Sequence, residues 1–231
     1  LAFAIHLIAI LFVPLVLMLP ASVRAAPGAQ PKGNLRRAAV DLGALVSTTA
    51  VFSGMVIFAI SMFAPMFLVS LGVTSPQLLS IPPTATVIGS ATGAWLSVPL
   101  LARLSNFQAL SYMLILEGLG LATIALSQSW WGVSIGALLA GTGAGALTLT
   151  LYAVAIRASG AGSPAAALGL VNALVYGAMI LFPLVAMPFA QLVGGPRPML
   201  GTVVLCSLIL ATSFAVIARS QSRMIKKLAN Q

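Results

Sequence analysis

The sequence predicts an all-α integral membrane protein, a six-helix bundle preceded by one further transmembrane helix. Three observations carry this. The 231 residues are 60% apolar and only 6% charged, too little polar surface to coat a soluble globule. The apolar residues fall into seven runs, each close to or above the ~20 residues that cross ~30 Å of hydrocarbon as a helix. The cations gather in the gaps between the runs, with a strong bias to one side if the runs alternate in direction.

The first element, the predicted transmembrane helix 1–20, has its apolar run over 1–19 and ends at Pro20. No basic stretch comes before it, so it does not read as a cleavable signal peptide. Leu1 already lies inside the run, which reads as a sequence continuing upstream. His6, the one histidine, sits here and is expected to make structural hydrogen bonds, since a lone histidine cannot build a metal site. The loop 21–41 follows, with Arg24, Lys32, Arg36 and Arg37 against Asp41. Pro27, Gly28, Pro31, Gly33 and Asn34 keep it from forming a continuous helix.

The bundle, 42–218, takes six runs: 42–71, 77–101, 108–127, 131–156, 165–193 and 199–218. Ser75-Pro76 and Ser163-Pro164 each read as an N-cap followed by the first helical residue. Pro14, in the first run, and Pro65, Pro82, Pro83, Pro99, Pro183 and Pro188 fall inside runs, where each removes a backbone donor and predicts a kink. Gly89 and Gly93 are four apart, as are Gly132 and Gly136, and Gly141 and Gly145. Such pairs let helix backbones approach closely in lipid, where apolar burial alone does not favour another helix. Cys206, the single cysteine, lies within a run, reads as a small hydrophobe, and excludes an internal disulfide or a cysteine-based metal cluster. The tail 219–231 is basic.

Alternating the seven runs puts the loop cations, Arg103, Arg157, Arg219, Arg223, Lys226 and Lys227 on one side. Only Arg197 falls on the other. The positive-inside rule makes the crowded side cytoplasmic, C-terminus included, and sets Trp130 and Trp131 at the outer interface. The same distribution argues against nucleic acid as the target of the +9 net charge, because a nucleic-acid face needs Lys and Arg clustered on a water-exposed surface.

One span, a long basic loop and six spans ending in a basic tail resemble the C-terminal half of a major facilitator superfamily transporter, with the last helix of the N-terminal half attached. Local patterns agree. The stretch Pro65-Met-Phe-Leu-Val-Ser-Leu-Gly72 resembles the end of that family's seventh helix, and Gly89-Ser-Ala-Thr-Gly93 with Arg103 resembles its eighth helix entering the following loop. Gly141-Thr-Gly143-Ala-Gly145 resembles the tenth helix, and Ala167-Leu-Gly169 with Gly177 and Pro183 the eleventh. The loop Arg103-Leu-Ser-Asn-Phe-Gln108 keeps one Arg of the family's loop motif and lacks its acid. The resemblance implies two six-helix halves with a solute held between them near the midplane. It also implies a companion N-terminal half or another membrane chain as partner, and a bacterial inner membrane as location.

The resemblance further implies that the seventh, eighth, tenth and eleventh helices line the path, so polar residues on those spans are the substrate-binding candidates. Asn172 and Tyr176 are four apart and share a face, as are Thr148 and Tyr152. Ser61 and Ser90, with Ser53, Thr86 and Ser97, add hydroxyls. The bland alternative is that such groups bond to backbone or to neighbouring helices. This wall is neutral, which fits a small neutral or amphiphilic solute rather than a strong anion. Glu117, the only acid within a span, must be protonated, paired or facing water, and is the candidate proton-coupling site. The residues support no cofactor and no enzyme, since two acids and one histidine furnish no acid/base pair, metal cluster or triad. Two readings remain: secondary active transport by alternating access together with an N-terminal half, or a non-transporting half-size membrane subunit or assembly factor.

Overall fold

The computed structural model describes residues 43–159 and 164–229. The predicted first helix, the loop 21–41 and His6 lie outside these residues. Within them are six α-helices: α1 Ala44–Ser70, α2 Pro76–Arg103, α3 Asn106–Leu126, α4 Trp130–Ala158, α5 Pro164–Leu192 and α6 Pro196–Ala229. Each holds a segment long and apolar enough to cross a membrane, which makes the chain an integral membrane protein by length and composition. The first five agree with the predicted runs to within two residues at either end. At the C-terminus α6 continues to Ala229, well past the start of the predicted tail at 219. No Gly or Pro interrupts 219–229, and Arg, Lys, Gln and Leu are all good helix formers.

The helix starts follow local chemistry. Ser75 precedes Pro76 as N-cap, and α5 begins at Pro164. Ser105 and Gln108 form a capping box at the head of α3: the Gln108 N–H donates to Ser105 Oγ at 3.3 Å and the Ser105 N–H to Gln108 Oε1 at 3.0 Å. Ser129 Oγ accepts from the Gly132 N–H at 3.2 Å, capping α4. Helices α1, α2 and α5 run through their internal prolines.

Close glycine contacts set the packing. On α2 and α4 the small residues interleave: a Cβ on Gly141 would lie 2.8 Å from Thr86 Cα, one on Gly145 2.6 Å from Ser90 Cα, and one on Gly93 2.9 Å from Thr142 Cα. Residue numbers rise together along this seam, so α2 and α4 run parallel. Helix α3 fits against α4 in the opposite direction, with Gly120 against Ala140, Gly136 against Ile124 and Gly143 against Glu117. The predicted pairs Gly89/Gly93 and Gly141/Gly145 thus hold the α2–α4 seam. Gly136 of the third pair meets α3, while Gly132 meets Ser127 and Ser129 at the capped start of α4.

Two hydroxyls stitch α3 to α6. Ser111 Oγ donates to the Ala211 carbonyl at 2.8 Å, and Ser207 Oγ to the Leu114 carbonyl at 2.7 Å; both serines are buried. Such bonds contribute about 0.6–2 kcal/mol each within a bilayer. Ser111→Ala and Ser207→Ala are each expected to lower stability by about that amount. Lower unfolding midpoints in mixed detergent micelles, with unchanged helix content by circular dichroism, would show it.

The buried apolar residues form two clusters, one toward each end of the bundle. One includes Phe63, Leu68, Leu121, Ile124, Phe182 and Leu200. The other includes Leu110, Leu114, Leu147, Leu151, Val171 and Phe214. In the interval between them the chain places small or polar residues: Ser53 and Gly54 on α1, Glu117 and Gly118 on α3, Gly143 on α4 and Ser207 on α6.

The cations sort by end. Arg157 Nη1, near the end of α4, donates to Asn106 Oδ1 at the start of α3 at 2.7 Å, and Arg103 closes α2 just before that loop. Arg197 Nη2 donates to the Ser127 carbonyl, just past the end of α3, at 3.1 Å. With 21 residues in α3, these ends lie about 30 Å apart. Trp130 and Trp131 stack with ring centroids 3.8 Å apart at the Arg197 end.

Candidate functional site

Helices α4 and α5 bring two of the predicted residues into direct contact. Tyr152 lies on the second half of α4 and Asn172 on the first half of α5, and the Tyr152 hydroxyl donates to Asn172 Oδ1. Both are half-buried. One turn further along α5, on the same helix face as Asn172, Tyr176 is 59% exposed. The Asn172 oxygen is occupied by this bond, while no hydrogen bond engages its amide N–H groups among the described residues. The result is a neutral patch of one amide donor and two phenols at the edge of the bundle.

Four of the other candidate hydroxyls fold back on their own helices. Thr148 Oγ1 donates to the Ala144 carbonyl at 2.9 Å, Thr86 Oγ1 to the Pro82 carbonyl at 3.0 Å, and Ser97 Oγ to the Ala94 carbonyl at 2.7 Å. Ser61 is exposed on α1 and donates to the Ile57 carbonyl at 3.1 Å. Ser90 is half-buried at the α2–α4 seam, with its backbone against Gly145. These back-bonds satisfy the hydroxyl without a neighbour. No hydrogen bond among the described residues joins Thr148, Ser61 or Ser90 to the Tyr152–Asn172 pair. Ser53 Oγ is buried with no partner among them.

Glu117 is fully buried, and neither carboxyl oxygen has a hydrogen-bond partner among the described residues. Helix α4 closes over it at Gly143, where a Cβ would lie 2.8 Å from Glu117 Cα and Cβ. Helix α6 closes over the next residue, where a Cβ on Gly118 would lie 3.2 Å from Ser207 Oγ. A carboxylate at helix centre costs about 2.5–3.5 kcal/mol on insertion scales even where water or a partner can reach it. Glu117 therefore occupies a seam among α3, α4 and α6, whereas Tyr176 lies on an exposed face of α5.

A concavity of about 310 Å³ opens at the Arg197 end, between Phe67 and Leu71 of α1 and the turn Gly194–Pro198. The Arg197 guanidinium stands 4.9 Å from the centre of the Phe67 ring, a cation–π contact. In the sequence Arg197 registers only as the lone cation of its side; the aromatic that holds it is far away in the chain. No group of three His, Cys, Asp or Glu residues able to hold a metal occurs among the described residues. No family model matches the chain, and no curated protein matches it.

Proposed function

We propose that the chain is the C-terminal half of a secondary transporter of the major facilitator type, moving a small neutral or amphiphilic solute by alternating access together with an N-terminal six-helix half. The observation that carries this reading is the Tyr152–Asn172 pair with Tyr176 beside it: a cross-helix polar contact on a partly open face, offering donors and aromatic surface without charge. The crowding of Lys and Arg at one end of the bundle supports a cytoplasmic location for that end and for the end of α6. In the assembled transporter Glu117 is the coupling carboxyl and the bacterial inner membrane is the location. Uptake of labelled neutral solutes into membrane vesicles tests the reading. Activity present with the native chain and lost with Asn172→Ala, at equal protein levels, is the expected result; activity indifferent to this substitution and to Tyr152→Phe would overturn it.

A second reading, a non-transporting half-size membrane subunit or assembly factor, is favoured by one observation. The loop after α2 keeps Arg103 but has no acid to pair with it, so the charged latch of the family's loop is missing. On that reading Asn172→Ala changes the yield of a larger complex and no solute flux.

A further inference from the structure

The geometry points to a binding site for an anionic phospholipid headgroup at the Arg197 end of the bundle, with the Arg197 guanidinium as the phosphate ligand and the concavity between α1 and the α5–α6 turn as its seat. The inference stands on the helices crossing a bilayer and is independent of transport.

Depth is the first support. The 21 residues of α3 extend about 31 Å, close to the ~30 Å thickness of the hydrocarbon layer, so the two ends of α3 lie near its boundaries. Arg197 Nη2 reaches the Ser127 carbonyl, just past one of those ends, at 3.1 Å. This sets the guanidinium at the level of the lipid phosphates. Trp130 and Trp131, stacked three and four residues after Ser127, belong to the same boundary.

Charge is the second. The contacts that Arg197 makes within the chain are neutral: the Ser127 carbonyl and, 4.9 Å away, the centre of the Phe67 ring. The two acids of the sequence are Asp41 and Glu117, and of these only Glu117, buried within α3, is among the described residues. No carboxylate among the described residues therefore competes for the guanidinium. Its further N–H donors form the planar fork that suits two phosphate oxygens at once.

Shape is the third. A volume of about 310 Å³ falls within the range of small-ligand sites, about 300–1,000 Å³. The turn side is open: Gly194 and Gly195 adopt φ of 89° and 122°, and nothing lies within 4 Å of a Cβ added to either. On the α1 side the rim residue Ser70 is exposed. Met66, one turn closer to mid-span on the same face of α1, is 41% exposed. A headgroup seated at Arg197 thus has apolar surface beneath it for an acyl chain, which inorganic phosphate would leave unused.

Tryptophan quenching tests this on the full chain in bilayers. The three tryptophans are Trp95, Trp130 and Trp131, and Trp95→Phe, at an exposed position on α2, leaves the stacked pair near Ser127 as the reporter. The chain is reconstituted in phosphatidylcholine vesicles that carry equal mole fractions of dibrominated phosphatidylglycerol or dibrominated phosphatidylcholine. The basic end of the bundle is about 30 Å away, so anionic lipid gathered there does not quench the pair. The expected result is a preference of about fivefold for phosphatidylglycerol, the effect of one cation near the bilayer surface. Arg197→Gln should bring the preference close to parity. So should Ser70→Phe, which fills the concavity, keeps every charge and removes only a hydrogen bond within α1; it decides the matter if Arg197→Gln does not fold. Inorganic phosphate at matched ionic strength should leave the preference in place, and its loss would mean a free-anion site and overturn the lipid assignment. Equal quenching by the two lipids, or a preference that survives Ser70→Phe, would overturn the site itself.

Discussion

Gly145→Leu is expected to prevent accumulation of the folded bundle, and Gly145→Ala to destabilise it by about 1–3 kcal/mol. At this position even a methyl group would stand 2.6 Å from Ser90 Cα and carbonyl C. The obstacle is backbone, which cannot rotate aside as a side chain could, so α2 and α4 must move apart. Separation would also break the neighbouring close contacts at Gly89, Gly93 and Gly141, because all four glycines serve one seam. Gly177→Ala on α5 is the control, since nothing lies within 4 Å of the added Cβ. Both changes replace glycine by alanine inside a helix, so the propensity gain of up to about 1 kcal/mol is common to them. The difference isolates the seam. Unfolding midpoints in mixed micelles should show Gly177→Ala at or above the native value and Gly145→Ala clearly below it; equal midpoints would mean that α2 and α4 do not approach as described.

The second large effect concerns solute handling. Tyr152→Phe removes the hydroxyl that donates to Asn172 Oδ1 and leaves that oxygen half-buried without a partner. Losing one member of such a pair costs about 1–3 kcal/mol, or about 5- to 150-fold in apparent affinity if the pair orients the solute. Asn172→Ala removes the amide donors as well, and should be at least as severe. If the two act as a unit, the double variant is no worse than the worse single, which a double-mutant cycle reads directly. Simple addition of the two losses would mean that each touches the solute independently.

The number of the described helices and the limits of the first five were legible in the sequence because they depend on chain chemistry: apolar runs of bilayer length, Ser-Pro starts, and gaps rich in polar residues; the end of α6 was not, since its basic continuation past 218 carries no apolar run. Which face of each helix is buried was not. In a soluble protein the outward face is polar, so periodicity marks the inward one; in lipid both faces are apolar. Leu126 at 81% exposure and Leu68 at 0% are the same residue type. Close glycine spacing was the exception, since it signals contact whatever the solvent, and it marked the α2–α4 seam. The Tyr152–Asn172 meeting was half legible: each residue stood out as a large polar group in a span, but that they meet depends on how α5 turns back along α4. The Ser111 and Ser207 bonds left no signal at all, because a serine that reaches across to another helix reads the same as Thr148, which bonds its own.

The central claim is that the face of α5 carrying Tyr176 borders a water-accessible path rather than lipid. Because Cys206 is the single cysteine, Cys206→Ala gives a cysteine-free chain, into which Tyr176→Cys can be placed. Leu205→Cys and Ile209→Cys, on the exposed side of α6, serve as references for a lipid-facing surface. The account predicts that, in the native membrane, a water-soluble maleimide modifies position 176 many times faster than 205 or 209. Equal, negligible rates at all three positions, with an apolar maleimide reacting at each, would contradict it.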